Sequence, residues 1–394
     1  MTLKTFLLSL LLSISTSNFG QTKSLTLSAN LNLPKDSIVS NKLVKSLNDF
    51  LSLKEKSNKE NIFVEKDDLL ETSLLLDEIK KIERNTKTKE DAFYKAYLTN
   101  IVQLDTNNFL VEFSYMGINE KTPVLAASFE VLAKQKGNKF YFSSPLKRNT
   151  VSWKSKKIGN CTFHFKNTLN SKVASDYVKR VTLLDKKLKT ANAQIEWYGC
   201  RDFPDVLQNI GVDYKIDYNG KSTTNFSANE NNTLILVSGN GDENFNSFDP
   251  HDLWHERARF AYSRDLINKP VDEGCAYLYG GSWGISWQEI LKTFKEKVAS
   301  NPKTDWLTLA LYTPQVNFGE SQQKHLMADY VVNALLVEKI EKEKGFSAVI
   351  EFLCSGKNKK GGSENYFVVL EKLTGINKDN FNARIWELIA ESKV

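Results

Sequence analysis

Chemistry near neutral pH favours side chains that titrate or ligate there, and this chain has four histidines: His164, His251, His255 and His325. Two of them stand four apart in Phe248-Asp-Pro-His-Asp-Leu-Trp-His-Glu256. Asp249 is a favourable N-cap and Pro250 suits the first helical position, so the segment is predicted to be helical. Residues i and i+4 lie on one helix face, where two imidazoles can share a metal ion. The positive helix N-terminus helps to keep His251 neutral for ligation. A catalytic tetrahedral zinc site takes a third protein ligand and keeps one position open for water. Glu273 is the candidate third ligand. It stands in Val271-Asp-Glu-Gly-Cys-Ala-Tyr277, 18 residues after His255 and past a turn at Asn268-Lys-Pro270. A returning helix would bring it back to the histidines. The competing reading has His251 capping its helix and His255 packed in a core.

The stretch 251–277 resembles the gluzincin metallopeptidases. Their motif is His-Glu-x-x-His on one helix and Glu on the next, often within Asn-Glu-Gly-x-Ala. The matching residues here are His251-Asp252-Leu-Trp-His255 and Asp272-Glu273-Gly274-Cys-Ala276. The motif covers about 27 residues, and a looser architectural likeness extends over 160–394. The whole chain resembles exported bacterial proteins that carry a peptidase MA-like domain. The resemblance implies Zn2+ held by His251, His255 and Glu273, and a peptide or protein substrate. It places Asp252 where the family has its catalytic glutamate, the general base. Aspartate is one methylene shorter, so its carboxylate would sit about 1.5 Å back, and misplacement by ~1 Å can cost on the order of 10²-fold in rate. The family often has a downstream tyrosine or histidine beside the substrate carbonyl. His325 and Tyr330 are the candidates for that catalytic role. The resemblance also places Leu234–Ser238 as an edge strand bordering the substrate cleft. A second register, His255-Glu256-Arg-Ala-Arg259, fails because arginine stays protonated and cannot ligate.

The elements that must position these residues follow from pattern. Residues 160–394, which the resemblance implies to be a zincin-like domain, read as a small sheet followed by a mainly helical half. Strands are predicted at Thr162–Lys166, Gln194–Cys200 and Thr233–Ser238, with helices at Ser171–Thr190 and Phe203–Ile210. A polar loop is predicted through Asn219-Gly220, and helices dominate from Asp249 onward. Gly280-Gly281-Ser282-Trp283 lacks the lysine of a phosphate loop and reads as a turn. His164 alternates with Phe163 and Phe165 and reads as structural. Residues 21–150 read as a separate α+β module. Its helices are predicted near Ser37–Lys56 and Asp67–Arg84. A meander follows over Phe93–Asp105, Asn108–Tyr115, Thr122–Lys134 and Lys139–Ser143. Ser144 to Asn160 reads as a basic linker. The fold class is therefore α+β.

Composition bounds the rest. With 394 residues, 41% hydrophobic and 25% charged, the chain is of ordinary globular kind, and two or three domains are expected. A net charge of +6 with scattered basic residues gives no nucleic-acid footprint. Residues 1–20 have the three-part form of a secretory signal peptide, with Lys4, an apolar run from Phe6 to Ile14, and small residues at Ser15, Ser17 and Gly20. The expectation is an exported protein, periplasmic or secreted, without stable membrane insertion. Export permits disulfides, and Cys161 with Cys200 is the slightly favoured pair, against four buried thiols. Two other functions stay open. One is a pseudoenzyme that binds peptides or partners without cleaving them. The other is a structural or carbohydrate-binding envelope protein with Trp153, Trp197, Trp283 and Trp287 as a stacking surface.

Overall fold

The computed structural model describes residues 25–190, 193–221, 225–240, 242–301, 303–311, 316–319, 324–357 and 363–393. The signal sequence expected at 1–20 lies outside them. The chain is α+β, with two sheets and a mainly helical C-terminal half. It divides into two compact units, one made of residues up to 148 plus 207–221, the other of 149–206 plus 222–394. Among the described residues no helix is long and apolar enough to cross a membrane.

The first unit is a meander packed by helices. Its strands Lys95–Gln103, Asn108–Asn119, Thr122–Lys136 and Lys139–Ser143 pair antiparallel in sequence order. Phe109, Val111 and Phe113 alternate inward with Glu112 between them, as a half-buried strand requires. Phe113 faces Phe129 across the sheet, ring centroids 5.6 Å apart. Helix Ser37–Ser52 is started by Asp36, whose carboxylate accepts from the Ile38 and Val39 amides, and it buries Leu43, Leu47, Phe50 and Leu51. The segment expected as a polar loop before Asn219 contains a strand, Val212–Lys215, which adds to this sheet by pairing with Thr122–Lys136.

The second unit holds the candidate site. Its sheet has the order Asn225–Glu230, Thr233–Ser238, Gln194–Gly199, Cys161–Phe165, Lys154–Ile158. The inner three strands are parallel and the two outer ones antiparallel. Thr233–Ser238 is therefore not an edge strand. Its apolar run, Leu234 to Val237, is buried on both faces, the signature of a strand with neighbours on each side. The edge is Asn225–Glu230, whose polar alternation hid it. The basic stretch read as a linker contains the other edge, Lys154–Ile158, largely exposed and rich in lysine, as unpaired edges favour.

None of the four cysteines is joined in a disulfide, so the Cys161–Cys200 pair does not form. Cys161 lies opposite Ile195 in the parallel register, five residues before Cys200. At ~3.3 Å per residue that separates them by roughly 16 Å, far beyond disulfide reach. The tryptophan surface does not form either. Trp197 and Trp287 are buried and Trp153 is half-buried, while Trp283 alone of the four is widely exposed.

Two cores fix the histidine helix, Pro250–Ala261. Leu253 packs with Phe163, Trp197, Leu236 and Phe245 on the sheet side. Trp254 and Ala258 pack into the helical core beside Val271, Ala276 and Val331. The return helix, Lys269–Gly280, lies between the histidine helix and the long helix Ala328–Lys344. Glycines permit this closeness. A Cβ on Gly274 would stand 2.6 Å from the Asn333 carbonyl carbon, and one on Gly280 would stand 2.5 Å from the Pro250 carbonyl oxygen.

Candidate metal centre

Asp249 caps the histidine helix through the His251 amide at 2.8 Å, and Pro250 occupies its first turn. His251 and His255 consequently share a face. Nε2 of His251 is 3.2 Å from Nε2 of His255. Glu273 Oε2 stands 3.5 Å from the first and 3.4 Å from the second. The three atoms form a nearly equilateral triangle. A tetrahedral zinc with bonds of 2.0–2.1 Å has ligand–ligand edges of roughly 3.3–3.4 Å. Among the described residues, this is the one cluster of at least three histidine, cysteine or acidic residues so placed.

The far nitrogens set the tautomers. Nδ1 of His251 lies 2.9 Å from the Gly281 carbonyl, which can only accept, so Nδ1 carries the proton. Nδ1 of His255 donates to Asp272 at 2.8 Å. Asp272 is buried and also accepts from the Trp254 indole at 2.9 Å. Each Nε2 is thereby turned toward the triangle, as outer partners do for metal-ligating imidazoles. Asp272 and the Gly281 carbonyl were not identified as functional from sequence. The Glu-Gly motif did contain Asp272, and the glycine turn did mark 280–283.

Charge is concentrated here. Burial alone would lower the His255 pKa, but its bonds to Asp272 and Glu273 outweigh that and hold it at about 9. Burial alone would raise Glu273, yet the two histidines hold its carboxyl down at about 2. Without a metal, the triangle is thus a carboxylate beside an imidazolium at neutral pH.

A cleft of about 290 Å³ opens on the triangle and is lined by His251, Asp252, Glu273, Tyr277, His325 and Tyr330 among others. Of the expected ligands and catalytic residues, all but His255 therefore border one space. Asp252 is exposed on the first turn of its helix. His325 is exposed, with Nδ1 3.2 Å from the Asn317 amide nitrogen. Tyr330 packs against Tyr277, centroids 5.3 Å apart. Tyr277 itself was overlooked. Its hydroxyl accepts the Met327 amide at 3.0 Å and so ties the His325 segment to the return helix. A second cavity, about 260 Å³, shares Asp249 and Asp252 with this cleft and reaches Asn225 at the sheet edge.

The remaining candidates are structural. His164 bonds Glu196 at 2.7 Å and stacks on Tyr198. Glu256, from the rejected register, accepts the Tyr177 hydroxyl at 3.0 Å, and burial pushes it up to about 7. No protein-family model matches the chain, and no curated protein matches it.

Proposed function

We propose that this chain is an exported zinc-dependent peptide hydrolase of gluzincin type, its second unit a zincin-like domain. One observation carries the reading: two imidazole Nε2 atoms and a carboxylate oxygen form a triangle with edges of 3.2–3.5 Å at the base of a cleft. Bound by His251, His255 and Glu273, zinc would supply Lewis acidity toward a carbonyl and lower the pKa of water. The chain's own groups then have distinct tasks. Asp252 takes the proton of the attacking water and delivers it to the leaving amine nitrogen. His325 and Tyr330, which line the same cleft, donate to the carbonyl oxygen as it gains charge. A substrate strand can lie along Asn225–Glu230, the outermost strand of this sheet among the described residues.

The test is cleavage of a broad peptide library by the zinc-loaded mature protein. Asp252→Asn is expected to lower kcat by about 10²–10⁴-fold with zinc content unchanged. Equal turnover by the variant removes Asp252 from the reaction. The short side chain of Asp252 favours a second reading, a peptide-binding pseudoenzyme. Full zinc occupancy with no turnover on any peptide would select it.

Zinc affinity is also expected to depend steeply on pH. His255 is held at about 9 in the metal-free protein, so at neutral pH the metal must displace its proton. The apparent Kd should fall about tenfold per pH unit as pH rises from 7 toward 9, then level off. Glu273, at about 2, is ionised throughout and adds nothing to the slope. Titration calorimetry in buffers of different ionisation heat reads the proton count, expected near one at pH 7. A pH-independent Kd would show that His255 is not a ligand. The metal-free fold has the opposite trend. The raised His255 pKa contributes stability that is full below about 6.5 and lost as pH rises through about 9.

A further inference from the structure

The seam between the histidine helix and the return helix continues beyond the triangle. The two helices run antiparallel, and each turns residues four apart toward the other. One row is His251, His255, Arg259; the facing row is Tyr277, Glu273, Lys269. His251 meets Tyr277, ring centroids 5.6 Å apart, and His255 meets Glu273 at 3.4 Å. One turn further on, Arg259 and Lys269 line a single cavity of about 610 Å³, joined by Arg264 and Lys357. Glu273 borders this cavity as well as the catalytic cleft, and buried Ile267 contributes an apolar wall. Lys357 pairs with exposed Asp265. Arg259, Arg264 and Lys269 form no salt bridge among the described residues. Asp272 also borders the cavity, but it and Glu273 both pair with His255, so the three cations outside salt bridges prevail on this concavity, focus positive potential there and attract an anionic group.

We propose that this cavity is a specificity pocket for a carboxylate of the peptide substrate, held about two residues from the bond that is cleaved. The inference rests on the hydrolase reading above. For a peptide that passes from the triangle along the seam, the spacing is set by two rises: four helical residues rise about 6 Å, and an extended peptide covers roughly 3.3 Å per residue. Arginine recognises carboxylate in a planar, two-bond geometry, and Lys269 adds a point charge. The carboxylate can belong to an Asp or Glu side chain or to the chain's free C-terminus.

The experiment uses the full zinc-loaded chain and a cleavable peptide in four forms. Glu or Gln stands two residues from the cleaved bond, and the C-terminus is free or amidated. The carboxylate forms should be preferred about tenfold in kcat/KM, chiefly through KM, and the preference should shrink as salt rises. In Arg259→Gln/Lys269→Gln the ratio should fall to within about twofold while zinc content and circular dichroism stay those of the parent. Dependence on Glu over Gln identifies a side chain; dependence on the free terminus identifies the C-terminus. Equal cleavage of all four forms overturns the pocket and leaves the hydrolase reading intact. If no peptide is cleaved, the hydrolase reading fails, and fluorescence anisotropy with the same labelled peptides decides the pocket. Tighter binding of carboxylate forms, lost in the double variant, supports it, and equal binding overturns it.

Discussion

His255→Ala protein is expected to purify without zinc where the parent carries about one per chain. Structural zinc binding is worth roughly 10–16 kcal/mol over four ligands, so one ligand contributes about 3 kcal/mol, a factor on the order of 10²–10³ in affinity. The loss has a second source. His255 is also the group that answers Asp272, a buried carboxylate whose other partner is the Trp254 indole. Alanine leaves that carboxylate short of a hydrogen bond, at a cost of about 1–3 kcal/mol to the metal-free fold. His255→Asn separates the two effects. Its amide nitrogen can occupy the place of Nδ1 and keep the bond to Asp272, but nothing replaces Nε2. The asparagine protein should therefore unfold close to the parent's metal-free temperature above about pH 9, where the parent's imidazole is neutral as well, and still fail to bind zinc. Elemental mass spectrometry and chelator competition read the metal; thermal melts with and without zinc read the fold. Full zinc occupancy in both variants would show that the triangle is not a metal site.

What the sequence could show of this centre is what local geometry determines. His251 and His255 are legible because a four-residue spacing on a helix leaves no choice of face. Glu273 is legible because a Pro-marked turn must be followed by a returning helix. Asp272 is harder to read, because its aim at Nδ1 of His255 depends on how two helices cross. The Gly281 carbonyl carries no side-chain signature at all, although it fixes the tautomer of His251. The fold shows the same limit. Long meander strands with alternating aromatics were readable to within a few residues. Asn225–Glu230 was not, because only Phe226 and Ala228 turn inward between polar residues. With that strand missed, the resemblance assigned the edge to its neighbour, Leu234–Ser238. Val212–Lys215 escaped for another reason: its partner, Thr122–Lys136, lies some eighty residues earlier in the chain, and short-range pattern carries no register.

The position of the histidine helix depends on a buried charge, and its removal is the second large effect expected. Arg257 is wholly buried. Its Nε donates to Asp185 at 2.7 Å, and its guanidinium lies 4.6 Å from the Phe260 ring centroid. Asp185 belongs to helix Ser171–Leu188, which also holds the histidine helix through Tyr177 and Glu256. One residue on, Arg257 points away from the ligand face, so its loss acts through the fold and not through ligation. Arg257→Ala leaves Asp185 buried with the Thr190 hydroxyl as its remaining side-chain partner. Breaking a buried pair in this way costs about 3–5 kcal/mol. For a unit of this size that corresponds to roughly 6–20 °C in the midpoint of a thermal melt. Replacing both partners, Arg257→Met with Asp185→Leu, removes the orphaned charge and should recover most of the loss. Arg257→Met alone identifies the cause: it refills the space against Phe260 but leaves Asp185 without its cation, so a low midpoint that Asp185→Leu then recovers marks the charge and not the packing. The same double variant tests whether the ion pair aims the helix. If zinc affinity stays at the parent's value once stability is restored, the apolar contacts of Leu253 and Trp254 suffice to hold His251 and His255 in register. If affinity stays low, the Arg257–Asp185 pair sets the rotation of the helix about its axis, and the metal centre depends on it directly. A midpoint for Arg257→Ala within about 2 °C of the parent would contradict the assignment of this pair as the clamp.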